Sequence, residues 1–118
     1  MLLFATDDHL RLLASSKTGF MDGTFKVCPS LYYQLFTIHG VVEEAIVPLV
    51  YVLLTQKMRT AYFDMLSKLR KQVANLHLSF NQDVIVTDFD SSTIEAARQH
   101  FPRVRQIGCF FHFCQSVW

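Results

Sequence analysis

Two aspartates interrupt stretches that are otherwise apolar. Asp22 stands between Gly19-Phe20-Met21 and Gly23-Thr24-Phe25, and Asp88 closes the run Val84-Ile85-Val86-Thr87. Carboxylates that converge at a sheet repel each other unless a cation lies between them. Hard oxygen donors favour Mg²⁺ or Mn²⁺. Two such ions, about 3.5–4 Å apart, can clamp the attacking and leaving oxygens of a phosphoryl transfer. Each aspartate also has a plainer reading. Asp-Gly is a common hairpin dipeptide, but a tight turn at Asp22-Gly23 leaves Gly19 to Met21 as an arm too short for a strand. Asp88 would serve as a helix N-terminal acid, but Asp90 is better placed for that cap, which frees Asp88. The candidate catalytic and metal-ligating residues are therefore Asp22 and Asp88.

Cys109-x-x-His112-x-Cys114 is a second cluster with ligand chemistry. A structural zinc site has four ligands in two pairs, and only one knuckle is present. Cys28 is a distant fourth candidate that shares the strand parity of Asp22. The plainer reading makes Cys109 and Cys114 small apolar residues beside Phe110, Phe111 and Phe113. His9, His39, His77 and His100 have no spaced partners and read as solvated or hydrogen-bonded histidines. There is no Gly-rich phosphate loop and no Gly-x-Ser-x-Gly elbow. Asp88-Phe89-Asp90-Ser91-Ser92 after an apolar strand also resembles the first motif of haloacid dehalogenase-type phosphatases, with Asp88 as nucleophile. The residues after Asp90 hold no lysine and one acid, Glu95, so the rest of such a site is lacking.

The elements that must position these residues follow from hydrophobic period. Leu10 to Ser15 reads as a short strand or turn. Gly19 to Cys28 alternates, with Met21, Phe25 and Val27 opposite Asp22, Thr24 and Lys26, so it is a strand. Tyr32 to Val42 and Ile46 to Leu54 are two more. Pro48 argues for an edge or a bulge in the third, and the short connections suggest an antiparallel meander. The period then changes. Met58, Ala61, Tyr62, Met65, Leu66, Leu69, Val73 and Leu76 make an amphipathic helix. Val84 to Thr87 is a strand, expected to lie parallel to an earlier one because a helix precedes it. Asp90 or Ser92 caps the next helix, Ser92-x-x-Glu95 fits a capping box, and Pro102 stops it. Val104 to Phe111 is a fifth strand, and Phe111 to Trp118 would begin another helix. The order β-β-β-α-β-α-β is the layout of an α/β, RNase H-like fold with a mixed five-stranded sheet, incomplete at the C-terminus. It makes the strands of Asp22 and Asp88 neighbours.

Composition limits the alternatives. The 118 residues are 51% apolar and 18% charged, enough to bury a core and too apolar for disorder. A net charge of +1 supplies no global field toward nucleic acid, so any DNA contact is local. Arg98, Arg103 and Arg105, with Lys68, Arg70 and Lys71, are the candidates for phosphate contacts. The longest apolar run, Ala45 to Leu54, is half of the ~20 residues a membrane helix needs. Met1 to Ala5 is too short for a signal peptide. Three cysteines without framework spacing fit a reducing compartment.

Taken in order, Asp22-Gly23-Thr24-Phe25, Val86-Thr87-Asp88-Phe89-Asp90, Ala96-Ala97, Phe101-Pro102 and Gly108-Cys109-Phe110-Phe111-His112 resemble the transposase domain of Mutator-like elements, the MULE family. Leu12-Leu13-Ala14-Ser15-Ser16-Lys17 resembles the leader of animal members. The resemblance spans nearly the whole of residues 1–118. It implies an RNase H-like core with a DDE triad, two divalent ions (Mg²⁺ or Mn²⁺), DNA cleavage and strand transfer in DNA transposition, and a nuclear location. By that resemblance Asp22 matches the first acid and Asp88 the second. Asp90 stands where the family has Glu, and Cys109 and His112 match a Cys-x-x-His signature. The third acid, a Glu on a later helix, has no counterpart, which implies a chain truncated before it that does not catalyse alone. Its partners would be DNA and missing transposase segments or further copies, with no membrane. The alternative is a domesticated, non-catalytic module that binds DNA or protein.

Overall fold

The computed structural model describes residues 1–24, 34–54, 59–87 and 91–108. The elements run β1 (Leu2–Phe4), α1 (Asp7–Ser15), β2 (Thr18–Thr24), β3 (Gln34–Val42), β4 (Ala45–Leu54), α2 (Arg59–Asn75), β5 (Val84–Thr87), α3 (Ser91–His100) and β6 (Arg105–Gly108). The described strands form one six-stranded sheet in the order β1-β4-β3-β2-β5-β6. β2, β3 and β4 are an antiparallel meander, and β5 and β6 join β2 in parallel. From β2 onward this is the expected β-β-β-α-β-α-β mixed sheet of an RNase H-like fold, with the strand of Asp22 in its interior.

The expectation of five strands is corrected to six, because β1 pairs with β4 through Leu2↔Leu53, Leu3↔Val52 and Phe4↔Tyr51. The segment around Leu10 to Ser15 is a helix rather than a strand or turn. Thr6 caps it by accepting from the His9 N–H at 3.0 Å, and Asp7 and Asp8 occupy its first turn, where negative charge suits the helix dipole. Leu10, Leu13 and Ala14, at helical spacing, are its buried residues. The Ser92-x-x-Glu95 capping box is also corrected. Ser92 lies within α3, and Glu95 instead accepts from Arg98 at 3.1 Å and from Gln99 at 3.2 Å.

Register sorts the sheet residues onto two faces, because partners across a ladder share a side. Met21, Ile38 and Val50 lie in one row of the inner face, and Phe36 and Val52 in the next. This face is buried with Leu13 of α1, with Tyr62, Met65, Leu66 and Leu69 of α2, and with Ala96 and Ala97 of α3, in one core. Tyr62 is fully buried, its ring 5.6 Å from that of Phe36. Pro48 marks a bulge: the β3–β4 register shifts between Ile38 and His39, so that consecutive Leu49 and Val50 are both buried. Gly40 makes room for that arrangement, since a Cβ there would stand 2.9 Å from a Leu49 methyl.

Candidate functional site

The outer face, away from the three described helices, carries the polar residues. Asp22 pairs with Thr37, and Thr37 pairs with Tyr51, so these three form one row across β2, β3 and β4. The next row holds Val86, Phe20, His39 and Pro48. Asp22 is half-buried in an unbroken strand, with Gly23 paired to Phe36 beyond it. That excludes the hairpin reading of Asp22-Gly23.

The parallel β2–β5 register runs from Thr18↔Val84 to Met21↔Thr87. In the sequence the next residues are Asp22 and Asp88. Asp88 and Asp90 lie outside the described residues, as do Cys28, Cys109, His112 and Cys114. Among the described residues, no group of three or more His, Cys, Asp or Glu side chains is assembled. The described donor on the outer face that suits a hard divalent ion is the Asp22 carboxylate, whose oxygens fit Mg²⁺ or Mn²⁺.

His39 was not expected here. It sits one register step from Asp22 on the same face, diagonal to it and directly opposite Phe20. Burial pushes its pKa below the ordinary value, against the pull of the Asp22 carboxylate and of a hydrogen bond to the Phe20 backbone. The sequence carries one signal for it: His39 interrupts an apolar strand much as Asp22 does. The cross-strand register could not be read.

The other histidines have structural places. His100 is buried at the end of α3, donates through Nε2 to the Phe63 carbonyl at 2.9 Å and accepts at Nδ1 from Arg70 at 3.3 Å. A carbonyl only accepts and a guanidinium only donates, so these partners fix a neutral ring. His77 follows α2 with a φ of 60°, a left-handed position at a helix end. His9 belongs to the first turn of α1.

Arg98 pairs with Glu95, and Arg70 lies 5.7 Å from the centre of the Phe101 ring. Lys68, Lys71, Arg103 and Arg105 are exposed. A cleft of about 510 Å³, lined by residues including Thr87, Arg98 and Gln106, lies between α3 and β6. Thr87 shares the row of Met21, so this cleft opens on the helix-covered face, across the sheet from Asp22.

No curated protein matches the chain significantly. Among solved structures, the chain is similar to one described as the Drosophila P element transposase strand transfer complex, with a TM-score of 0.43 and 13% identity. That match covers 94% of this chain and 32% of the other, so these residues correspond to about a third of its length. The model of the MULE transposase domain matches residues 18–116, from the first residue of β2 onward, and leaves no place for the phosphatase reading. With that match over most of its length, the chain belongs to the MULE transposase domain family.

Proposed function

We propose that this domain supplies two of the three carboxylates of a DDE-type transposase site, Asp22 and Asp88, which together hold Mg²⁺ or Mn²⁺. The observation that carries the reading is the parallel register ending at Met21↔Thr87, one residue short of both aspartates. Continued by one step, it would bring their carboxylates to the same side of neighbouring strands. Bound there, the divalent ions would stabilise charge on the attacking and leaving oxygens of a DNA phosphodiester. Asp22 and Asp88 would orient those ions from a rigid sheet, and Thr37 and Tyr51 would border them in the same row.

The last acid in the sequence is Glu95, so these 118 residues offer no later carboxylate as a third ligand. Cleavage would then require a carboxylate from another segment or chain. A nuclear location and DNA as partner belong to the same proposal.

Thermal unfolding with and without divalent ions tests it. Mn²⁺ is expected to raise the midpoint of the parent chain by mass action, and to leave Asp22→Asn and Asp88→Asn unmoved. The chain alone is expected to leave supercoiled plasmid intact. Metal-dependent nicking that Asp22→Ala abolishes would overturn the requirement for an outside carboxylate. An equal Mn²⁺ shift in all three proteins would overturn the metal pair.

A further inference from the structure

We propose that the outer edge of β6, with the cleft beside it, binds an extended peptide strand of a partner protein, one that alternates acidic and apolar side chains. The inference is independent of the metal reading of Asp22. Three observations carry it.

The first is the backbone. Among the described residues β6 has one neighbour in the sheet, β5. The Arg105 N–H donates to the Asp83 carbonyl at 3.0 Å, so Arg105 turns its backbone groups toward β5. Successive residues of a strand turn theirs to opposite sides. Ile107 therefore faces β5 as Arg105 does, while Gln106 and Gly108 face the outer edge. Backbone groups turned outward at two-residue spacing are a template for strand addition.

The second is the cleft. It holds about 510 Å³ between α3 and β6, and Ile94, Phe101, Pro102 and Val104 give it apolar walls. The Gln106 side chain turns to this side of the sheet, where its Nε2 donates to the Ile94 carbonyl at 3.1 Å. Partners across a ladder share a side, so a peptide residue opposite Gln106 enters the cleft, and an apolar side chain suits it. In strand addition the main chain gives affinity and pockets for alternate side chains give specificity.

The third is charge. Residues 91–108 carry three arginines against one acid, Glu95, and Glu95 pairs with Arg98. Arg103 and Arg105 are exposed. Arg105 lies on the face of the sheet away from the cleft, in the row of Val84. A peptide residue opposite it meets a guanidinium, and cross-strand pairs of opposite charge stabilise a ladder. The acid is therefore one position from the side chain in the cleft, which sets the alternation. DNA phosphates would suit the same arginines, but they use neither a strand edge nor an apolar cleft.

Amide hydrogen exchange of the purified chain, read by NMR, tests this. The probes are the peptide Glu-Val-Glu-Val-Glu-Val, its fully N-methylated form and a duplex oligonucleotide. In the free chain the Ile107 amide is expected to be protected, and those of Gln106 and Gly108 to exchange fast. The acidic peptide, at about ten times its Kd, is expected to slow the Gln106 amide about tenfold. The N-methylated form, which keeps the charges and side chains but has no N–H to donate, is expected to give no such slowing. Arg105→Glu is expected to weaken the acidic peptide about fivefold. Gln106 and Gly108 amides already protected in the free chain would overturn the proposal, because the chain itself or a second copy then covers the edge. Equal binding of the N-methylated form would overturn strand addition. No slowing by the peptide, with the duplex protecting the same amides, would make this a nucleic-acid surface instead, and no slowing by either probe would leave no partner at this edge.

Discussion

His100 shows how a side chain of ordinary type becomes a fixed part of the core. Its ring lies 4.3 Å from that of Phe63, centre to centre, and its two nitrogens are used by the Phe63 carbonyl and the Arg70 guanidinium. Burial lowers its pKa, and the Arg70 charge adds to that effect, while the Phe63 carbonyl opposes it. The unfolded chain, with an ordinary value of 6.5, therefore takes up a proton more readily than the folded one. By linkage, the stability held above pH 6.5 falls as the pH drops below that value. Urea midpoints measured from pH 7.5 to 5.5 are expected to fall, and the fall is expected to be smaller in His100→Asn. An unchanged slope in that variant would remove His100 as a source. The residue scale is also where the sequence is most legible for chemistry. Asp22 stood out because a charge interrupted an apolar alternation, and its place in an unbroken strand follows from the same pattern. His39 carried that signal too, but its meaning depends on a cross-strand partner.

At the scale of elements, long apolar periodicities were readable and short ones were not. The periodic residues Met58 to Leu76 foretold α2, observed over Arg59–Asn75, and Val84–Thr87 agrees with β5. α1 was missed because its nine residues give only one apolar triplet, Leu10, Leu13 and Ala14, and its cap, Thr6, follows the apolar residues of β1. Pro48 was legible for a physical reason: it has no N–H for a ladder, and a bulge accommodates it. The β3–β4 turn was not legible as a tight hairpin. It places Glu43 and Glu44 at φ of 50° and 70°, where two-residue turns favour Asn-Gly. The double substitution Glu43→Asn with Glu44→Gly is expected to stabilise the domain by roughly 1 kcal/mol, by relieving two left-handed non-glycine residues. Chemical denaturation measures this, and a loss of stability would contradict the turn geometry.

At the scale of the molecule, the two faces of the sheet have separate tasks. One is buried under α1, α2 and α3 in a single core. The other carries Asp22 and His39 and leaves Phe4 and Tyr51 52% and 41% exposed. The MULE match begins at residue 18, so β1 and α1 precede it. They are joined to the family region through Leu13 in the core and through Ser16, whose hydroxyl donates to the Thr18 carbonyl at 2.7 Å and accepts from the Val41 N–H at 3.0 Å. The parallel return of β5 beside an earlier strand was legible from the succession of elements, because a strand that follows a crossover helix returns that way, whereas the place of β1 at the edge was not. The central claim is that Asp22 and Asp88 share one cation. Fe²⁺ in place of Mg²⁺, with ascorbate and peroxide, cuts the backbone around its binding site. The account predicts cuts in β2 around residue 22 and after β5 around residue 88, both lost in Asp22→Asn. Cuts near only one of the two, or cuts that persist in Asp22→Asn, would contradict it.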